Sequence, residues 1–292
     1  MDERAALSLL TDRLPHAGDD AAVVDGQVLT TDMLHETTDF PAGTTRYTAG
    51  WRAVGASLSD VAAMGAEATA AVAVYAVPEF DEDLLANFVA GASDVCQTVG
   101  AEYVGGDLDE SREFTTATTV LGQTDDPVYR SGASPGEVVC VTGTLGRTGA
   151  ALGLFENNEI ERANDLFRFE PRIAAGRAVA PHATAMMDSS DGLARSLHQL
   201  AEASDCGFSI SWDSVPVDES VRETFDTEEM VRERSIFFGE DFELVFTVPE
   251  EHLSEIRSES PTPISVIGEV TASQIEMDGE ELPDRGYTHG GD

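Results

Sequence analysis

The sequence has 292 residues, of which 55 are acidic and 17 basic, so its formal charge at pH 7 is −38. All 17 basic residues are arginine, because the sequence contains no lysine. This charge excludes binding to nucleic acid or to an anionic membrane by general attraction, and the absence of lysine excludes functions that need a P-loop, Schiff-base or protein-kinase lysine.

The acidic composition is compatible with a folded, salt-adapted protein. Hydrophobic residues make up 41% of the sequence, and the length suits two domains of ordinary size. An excess of acid without lysine indicates adaptation to high salt, as in a halophilic archaeon, because counter-ions there screen the self-repulsion. A calcium-binding protein and an acidic nucleic-acid mimic are the alternatives.

The cysteines and histidines show no spacing typical of a metal site. Cys96, Cys140 and Cys206 are far apart and form no C-x-x-C motif, so we predict neither a disulfide framework nor a zinc site. The segment that starts with Met1 has no export signal, and no apolar run is long enough to cross a membrane, so we expect a cytoplasmic protein. We interpret most of the histidines as surface or core residues: His16, His35, His182, His198, His252 and His289.

Strand-like runs alternate with helical patterns in the first part of the chain. Strands are predicted over residues 21–24, 28–31, 70–77 and 113–121. Between residues 45 and 64 the apolar residues recur every three or four positions, which predicts a helix that stops at Gly65. A second helix is predicted over residues 81–99, because acidic residues occupy its first turn.

The turn-rich segment 130–137 predicts a boundary between two domains, residues 1–130 and 131–292. Beyond it we predict strands over residues 138–141, 183–187 and 242–248, a helix after the segment 142–146, and a helix over residues 193–203. Mixing strands with helices predicts an α/β or α+β fold with two halves of similar size. The pattern does not distinguish parallel from antiparallel sheets.

Several aspartates lie where a predicted strand begins or ends. Asp20 precedes the first strand, Asp32 ends the second, Asp107 follows a short strand through two glycines, and Asp188 ends a later strand. Carboxylates and hydroxyls gathered at strand ends are the hard oxygen ligands that Mg²⁺ prefers. The sequence therefore predicts a magnesium site built from these ends.

Asp60 lies in the last turn of the helix that stops at Gly65. A carboxylate there opposes the helix dipole at a cost of about 0.3–1 kcal/mol. A bound cation would reverse the sign of this interaction.

Simpler interpretations of these residues remain open. Asp191 has the position of an N-cap, and Asp107 that of a turn residue. Ser57, Ser59 and Asp60 are also compatible with a plain polar helix face. The glycine-rich segment 142–149 is compatible with a phosphate-binding loop, but such turns are common before helices. The residues alone thus predict a metal-dependent, nucleotide-handling protein.

Seven short segments together resemble the thiamine-monophosphate kinases, a family of the aminoimidazole-ribonucleotide-synthetase-like superfamily. The segments are GDDA at 18–21, TTD at 30–32, SLSDVAAMGA at 57–66, GGD at 105–107, RSGA at 130–133, DSSDGL at 188–193 and GEDFEL at 239–244. The ten-residue segment around Asp60 is the most specific of them.

This resemblance implies a two-domain α/β subunit whose N-terminal domains pair in a homodimer to form a shared barrel-like sheet. It places the active site in the cleft between the domains, with ATP as co-substrate and several Mg²⁺ ions, and we add K⁺ as a further candidate ion. The implied metal ligands are Asp20, Thr30, Thr31, Asp32, Asp60, Asp107, Asp188 and Asp191, of which Asp60, Asp107, Asp188 and Asp191 are the implied catalytic residues. The implied ATP contacts are Gly106, Asp107, Arg130 and Ser190, and the residues expected at the second substrate are Asp39, Glu240 and Tyr287.

Two of these substrate positions depart from the family pattern. The family commonly has a histidine before phenylalanine where this sequence has Asp39 before Phe40, and His35 lies one helical turn earlier. The family often has a tryptophan near the C-terminus, where Tyr287 is the nearest aromatic residue of this sequence.

The implied reaction transfers a phosphoryl group from ATP to thiamine monophosphate. The acceptor phosphate is largely dianionic at neutral pH, so it needs no general base. The obstacle is repulsion between the two phosphates, because even two unit charges about 4 Å apart cost roughly 4 kcal/mol at an effective dielectric of 20. Without lysine, divalent metals must supply most of the countercharge, and Arg130 is expected to assist as a phosphate-binding fork.

Other functions remain as alternatives. Within the superfamily they are a purine-synthesis cyclo-ligase, a selenophosphate synthetase and a hydrogenase-maturation dehydratase. A reactive cysteine and lysine near the N-terminus are expected of the second and a C-terminal cysteine of the third, whereas the first cysteine here is Cys96 and the sequence ends in Asp292. Outside the superfamily, the alternative is a non-catalytic, acidic magnesium-binding protein.

Overall fold

A computed structural model gives the structure of residues 10, 13, 14 and 16–287. The expectations about the leader at Met1, about His289 and about the C-terminal residue Asp292 concern positions outside the described residues. The strands are β1 (Ala22–Val24), β2 (Gln27–His35), β3 (Glu67–Val77), β4 (Glu102–Glu110), β5 (Thr115–Gln123), β6 (Val138–Thr142), β7 (Ala185–Asp188), β8 (Gly207–Ile210), β9 (Leu244–Val248), β10 (Ile264–Thr271), β11 (Ile275–Met277) and β12 (Glu280–Glu281). The helices are α1 (Glu36–Asp39), α2 (Arg46–Ala63), α3 (Glu82–Thr98), α4 (Arg147–Glu156), α5 (Ile160–Phe167), α6 (Ile173–Val179), α7 (Leu193–Ser204), α8 (Glu219–Thr224), α9 (Glu228–Ile236) and α10 (Leu253–Glu259).

The strands form two mixed sheets. The first has the order β1-β2-β5-β3-β4, and its neighbours are antiparallel except for the parallel pair β3 and β4. The second has the order β12-β11-β8-β10-β6-β9-β7, and its neighbours are antiparallel except for the parallel pair β8 and β11. The predicted mixture of strands and helices is therefore confirmed. Among the described residues, no helix is long and apolar enough to cross a membrane.

The two long helices of the first half form as predicted. The side chain of Thr45 caps α2 by accepting a hydrogen bond from the Thr48 amide, and that of Asp81 caps α3 by accepting one from the Leu84 amide. Gly65 follows α2 with a φ of 66°, a left-handed conformation that glycine adopts without a steric penalty. Asp60 therefore does lie in the last turn of α2.

Two strands are longer than predicted, which corrects the placement of two aspartates. Strand β2 continues to His35, so Asp32 lies within it, and β4 spans Glu102–Glu110, so Asp107 is neither past a strand end nor in a turn. The polar residues of β2 and the two glycines of β4 are untypical of strands, so the sequence pattern did not show the full length of either strand. Gly106 is tolerated because β4 approaches β3 closely: a Cβ atom there would lie 1.7 Å from the carbonyl oxygen of Ala73. The N-cap of α7 is Gly192, so the interpretation of Asp191 as an N-cap is wrong.

One hydrophobic cluster joins the two halves of the chain. It includes the buried side chains of Val61 and Val120 from the first half and those of Met186, Leu244 and Phe246 from the second. Helix α2 contacts both α6 and β7 across this junction. The position of the end of α2 relative to the end of β7 is thus set by close packing.

We predict that Phe246→Ala destabilises the whole chain. Phe246 is completely buried in β9, between Cys140 of β6 and Met186 of β7, so its removal should lower the free energy of unfolding by about 3–5 kcal/mol. Denaturant unfolding in molar potassium chloride measures this. Phe80→Ala is the control, because Phe80 is 46% exposed and its removal should change the free energy by about 0.5 kcal/mol or less. Equal effects of the two variants would contradict the shared core.

Candidate active site

Three aspartates that are distant in sequence converge where the two halves meet. Asp20 lies just before β1, Asp60 in the last turn of α2 and Asp188 at the end of β7. One carboxylate oxygen of each lies within 4.8 Å of the others. Three of the predicted metal ligands are therefore brought together by the fold.

Burial and repulsion between like charges raise the pKa of two of these carboxylates, Asp60 and Asp188. Asp188 is only 1% exposed, and this burial, followed by the charge of Asp20, raises its pKa to about 7. Burial also raises the pKa of Asp60 well above its usual value, and the charges of Asp32 and Asp188 add to the effect. Asp60 and Asp188 therefore retain protons at pH values where an exposed aspartate is fully ionised.

Hydroxyl groups surround the cluster on the side of β2 and α2. Thr30 donates a hydrogen bond to Asp60, and Ser57 donates one of 2.7 Å to Asp32. The Ser57 hydroxyl is also within 2.7 Å of the Thr118 hydroxyl on β5. These contacts place Thr30 and Asp32 beside the three aspartates.

Arg130 binds a carboxylate in this structure. Its Nε and one terminal nitrogen donate to the two oxygens of Asp20 at 3.1 and 3.0 Å, and its backbone amide donates to Asp19. The predicted fork is thus directed at Asp20, where it offsets part of the negative charge of the cluster.

Several oxygen atoms of the cluster have no hydrogen-bond partner. Asp188 Oδ2, Ser59 Oγ and Ser189 Oγ are all buried and unpaired. The Ser59 hydroxyl lies close enough to lower the pKa of Asp188 somewhat, but the two oxygens do not meet hydrogen-bond geometry. A buried polar atom without a partner costs about 1–3 kcal/mol. An oxygen-ligated divalent cation would satisfy such atoms, so the residues fit Mg²⁺.

Two predicted ligands lie elsewhere in the single chain. Side chains alternate between the faces of a strand, so Thr31 points away from the face on which Asp32 meets α2, and its hydroxyl donates to the backbone of Thr118. Asp107 is exposed on the edge strand β4, opposite the exposed Val74 of β3. Neither residue belongs to the group formed by the three converging aspartates.

The two segments that carry DSSDGL and GEDFEL are paired through their backbones. The Glu240 amide donates to the Ser190 carbonyl at 2.6 Å, and the Ser189 amide donates to the Glu243 carbonyl at 2.7 Å. A Cβ atom on Gly239 would lie 2.6 Å from the Ser190 carbonyl oxygen, so this approach requires glycine. The Tyr287 amide donates to the Asp191 carbonyl, which adds the C-terminal segment to the same group. Ser190 and Asp191 thus meet Glu240 and Tyr287 at one place, whereas the predicted ATP contacts Gly106 and Asp107 lie on strand β4.

The sequence analysis missed Arg52, which is central to this region. Its side chain is 3% exposed and donates to Glu240 at 2.9 Å and to the Phe167 carbonyl at 2.6 Å, and its guanidinium lies 3.7 Å from the centre of the Phe167 ring. The position of Arg52 in the sequence could have indicated this role. Arg52 precedes Ser59 by two helical turns, so both residues lie on the same face of α2.

The glycine-rich segment 142–149 is not a phosphate-binding loop in this structure. Its amides at Gly146 and Thr148 donate to the buried carboxylate of Asp241. The Gly143 amide donates to the Pro263 carbonyl. The interpretation of this segment as a phosphate cradle is therefore wrong, and Asp241, whose pKa burial raises to about 7, caps helix α4 instead.

Asp39 makes contacts within its own turn. Its Oδ2 accepts hydrogen bonds from the His35 amide and the Thr38 hydroxyl, while its buried Oδ1 has no partner. His35 places its ring nitrogen Nδ1 3.1 Å from the Thr115 hydroxyl. A substrate contact by Asp39 stays a prediction.

Comparison with known proteins gives consistent similarities over nearly the whole chain. Residues 18–124 match the AIR synthase related protein N-terminal domain family, and residues 134–278 match the corresponding C-terminal domain family. The thiamine-monophosphate kinase of Halobacterium salinarum is 60% identical, over 99% of this chain and 100% of that protein. The thiamine-monophosphate kinase of Methanospirillum hungatei is 40% identical, over 99% of both. The solved structure of AaThiL complexed with AMPPCP and TMP matches with a TM-score of 0.90 and 28% identity, over 99% of this chain and 97% of that one.

We predict that Asp188→Asn stabilises the metal-free protein at alkaline pH. The folded pKa of about 7 lies above the unfolded value of about 3.9, so the folded state binds more protons and loses stability as pH rises between these values. At about pH 8 the variant should be more stable by at least about 1 kcal/mol, since each pKa unit corresponds to about 1.36 kcal/mol. Denaturant unfolding with a chelator present measures the difference.

The matched control for this prediction is Asp125→Asn, which removes the same charge from an exposed position. It should change the pH dependence of stability little. If Asp188→Asn were no more stable than this control at about pH 8, the prediction that ionisation of the buried Asp188 carboxylate destabilises the fold would be wrong.

Proposed function

Because this chain belongs to the thiamine-monophosphate kinase family, we propose that its aspartate cluster catalyses ATP-dependent phosphorylation of thiamine monophosphate to thiamine diphosphate. The observation that carries the proposal is the convergence of Asp20, Asp60 and Asp188 at the junction of the two halves. A cyclo-ligase or a non-catalytic acidic protein is not favoured, because relatives at 60% and 40% identity over 99% of the chain are thiamine-monophosphate kinases.

The cluster suits a reaction between two anions. Asp20, Asp60 and Asp188 would hold Mg²⁺, with Thr30 and Asp32 beside them. Bound there, magnesium would supply the countercharge for the phosphates of ATP and of the acceptor. The acceptor phosphate is already nucleophilic at neutral pH, so the chain needs no general base. Its own residues therefore position and neutralise charge.

Two arginines would organise the residues around the phosphates. Arg130 keeps Asp20 oriented by a two-point contact, and it is our proposed ATP contact together with Ser190 and Gly106. Arg52 fixes Glu240, which we propose as a contact for the thiamine part of the substrate, with Asp39 and Tyr287 as further candidates. Since the loop of Glu240 is bonded to that of Ser190, binding of the two substrates would order one shared structure.

A homodimer would complete the site. One face of the first sheet is not covered by α2, and its exposed apolar side chains include Leu29, Met33, Val72 and Val74. Met33 is 55% exposed, and the four residues lie on β2 and β3, on either side of the central strand β5. We propose that two such faces pair into a barrel-like sheet.

Pairing of two subunits would give a role to the predicted ligands that lie away from the aspartate cluster in a single chain. Thr31 and Asp107 both belong to the uncovered face or its edge. We propose that they, with Asp191, complete the metal and ATP contacts in the assembled enzyme. We also propose that residues 1–130 and 131–292 form the two domains. The last strand of the first sheet ends at Gln123, and the first strand of the second sheet begins at Val138.

The working environment we propose is a salt-rich cytoplasm. The charge of −38 and the absence of lysine support this, because concentrated salt screens the self-repulsion of such a surface. The proposed use of ATP as co-substrate supports an intracellular location, and K⁺ is the proposed bulk cation.

We predict that Asp60→Asn and Asp188→Asn each lower the rate of thiamine diphosphate formation by at least about 100-fold. Residues that only orient metal ligands already contribute about 10–100-fold, and these two would be ligands themselves. Product formation at saturating magnesium in potassium chloride measures the rate. Asp125→Asn should keep the normal rate, and a near-normal rate in either cluster variant would contradict the proposal.

We also predict that Val72→Asp converts the dimer to a monomer. A charge on the uncovered face would lose its hydration on pairing, which is strongly unfavourable. Sedimentation in molar potassium chloride measures the mass. Phe80→Asp, which adds the same charge at an exposed apolar position outside the sheet, should leave the mass unchanged. A monomeric wild type, or a dimeric Val72→Asp variant, would contradict this interface.

A further inference from the structure

A second group of metal-binding side chains lies outside the aspartate cluster. His182, His252 and Glu255 each present one ligand atom, and these three atoms lie within 4.8 Å of one another. This group could not be predicted from spacing along the chain, because the two histidines are far apart in the sequence. Nothing in the proposed kinase reaction uses any of the three residues.

Well-packed elements hold the three side chains in place. His182 lies in the turn between α6 and β7, and its amide donates to the Val179 carbonyl. His252 directly precedes α10, and Glu255 follows three positions later, so both lie on one side of that helix. Val179, Leu253 and Ile256 are buried in the cluster that joins the two halves of the chain. The backbone positions of the ligands are therefore fixed, as a metal site requires.

The three side chains lie close enough together to share an ion. The rings of His182 and His252 stack with their centres 4.6 Å apart and their planes 24° from parallel. Glu255 Oε2 lies 3.6 Å from Nε2 of His182, and Glu251 Oε1 lies 3.9 Å from Nε2 of His252. An imidazole nitrogen ligates a metal along its lone pair in the plane of the ring, so a shared cation would lie at the edges of the two rings after rotation of the side chains. There it would meet one nitrogen of each ring and the Glu255 carboxylate, with the Glu251 carboxylate nearby.

The chemistry of this donor set selects the kind of ion. Imidazole nitrogen combined with a carboxylate suits Zn²⁺ and related transition metals, whereas Mg²⁺ prefers oxygen ligands alone. The cysteines do not compete, because all three are buried and burial raises the pKa of Cys96 and Cys140 to about 12. His252 and Glu255 are partly open to solvent, so an ion can enter.

We propose that His182, His252 and Glu255 form a binding site for a divalent transition metal, with Zn²⁺ as the representative ion. The site is separate from the aspartate cluster, because His182 precedes the first residue of β7 and Asp188 is its last. A bound ion would tie α10 to the turn that leads into β7. Because the three ligands converge only in the folded chain, binding would also stabilise the fold.

The test is a titration of the full chain with Zn²⁺ in potassium chloride, with a large excess of Mg²⁺ to occupy the aspartate cluster. Affinity is measured by competition with a coloured chelator. We expect one Zn²⁺ per chain for the wild type, and at least about tenfold weaker binding for His182→Ala and Glu255→Gln. Glu259→Gln is the matched control, because Glu259 is exposed one turn further along α10 and the charge change is the same. It should bind zinc like the wild type.

A second measurement separates loss of the site from loss of the fold. Circular dichroism and magnesium-dependent formation of thiamine diphosphate should be the same in all variants, because none of the three residues belongs to the kinase site. Equal zinc affinity of the wild type and His182→Ala would overturn the proposal. Loss of zinc binding in excess Mg²⁺ would also overturn it, because the zinc would then occupy the aspartate cluster.

Discussion

The structure depends on one electrostatic constraint: carboxylates that repel each other are held together at a buried junction. Asp188 and the side chain of Asp20 are each only 1% exposed, and Asp60 joins them from the end of α2, where the helix dipole is already unfavourable to an anion. Burial and like charge both favour protonation, which is why the pKa of Asp188 rises to about 7. Arg130 offsets only part of the charge, so the arrangement is best satisfied by divalent cations. In a chain without lysine, bound divalent cations rather than lysine side chains would neutralise the charge of polyanionic substrates.

The hydrophobic core makes this arrangement possible. Repulsion alone would separate the aspartates, but the packing of Val61, Met186 and Phe246 in one cluster fixes α2 against β7. The hydrogen bonds between the segments of Ser190 and Glu240 hold these two segments together. Packing therefore keeps an unfavourable group of charges together. The same core also anchors the His182 group, at the opposite end of β7 from Asp188.

Local patterns in the sequence were sufficient for part of this account. The apolar period of α2, its stop at Gly65, and the positions of Asp20, Asp60 and Asp188 at element ends were all predictable, because each depends on near neighbours in the chain. Asp32 and Asp107 were misplaced, since the threonines and glycines around them do not show a strand pattern. Arg52 and the His182 group escaped notice for a different reason: their partners come from distant segments, and spacing along the sequence carries no information about such contacts. The roles proposed for Thr31 and Asp107 require a second subunit as well, which no single chain reveals.

The most direct test of the central claim is anomalous scattering from a crystal of the protein soaked with Mn²⁺ and a non-hydrolysable ATP analogue. The account predicts manganese peaks within coordination distance of Asp20, Asp60 and Asp188, next to the nucleotide phosphates. Bound nucleotide with no metal peak at these three carboxylates would contradict it.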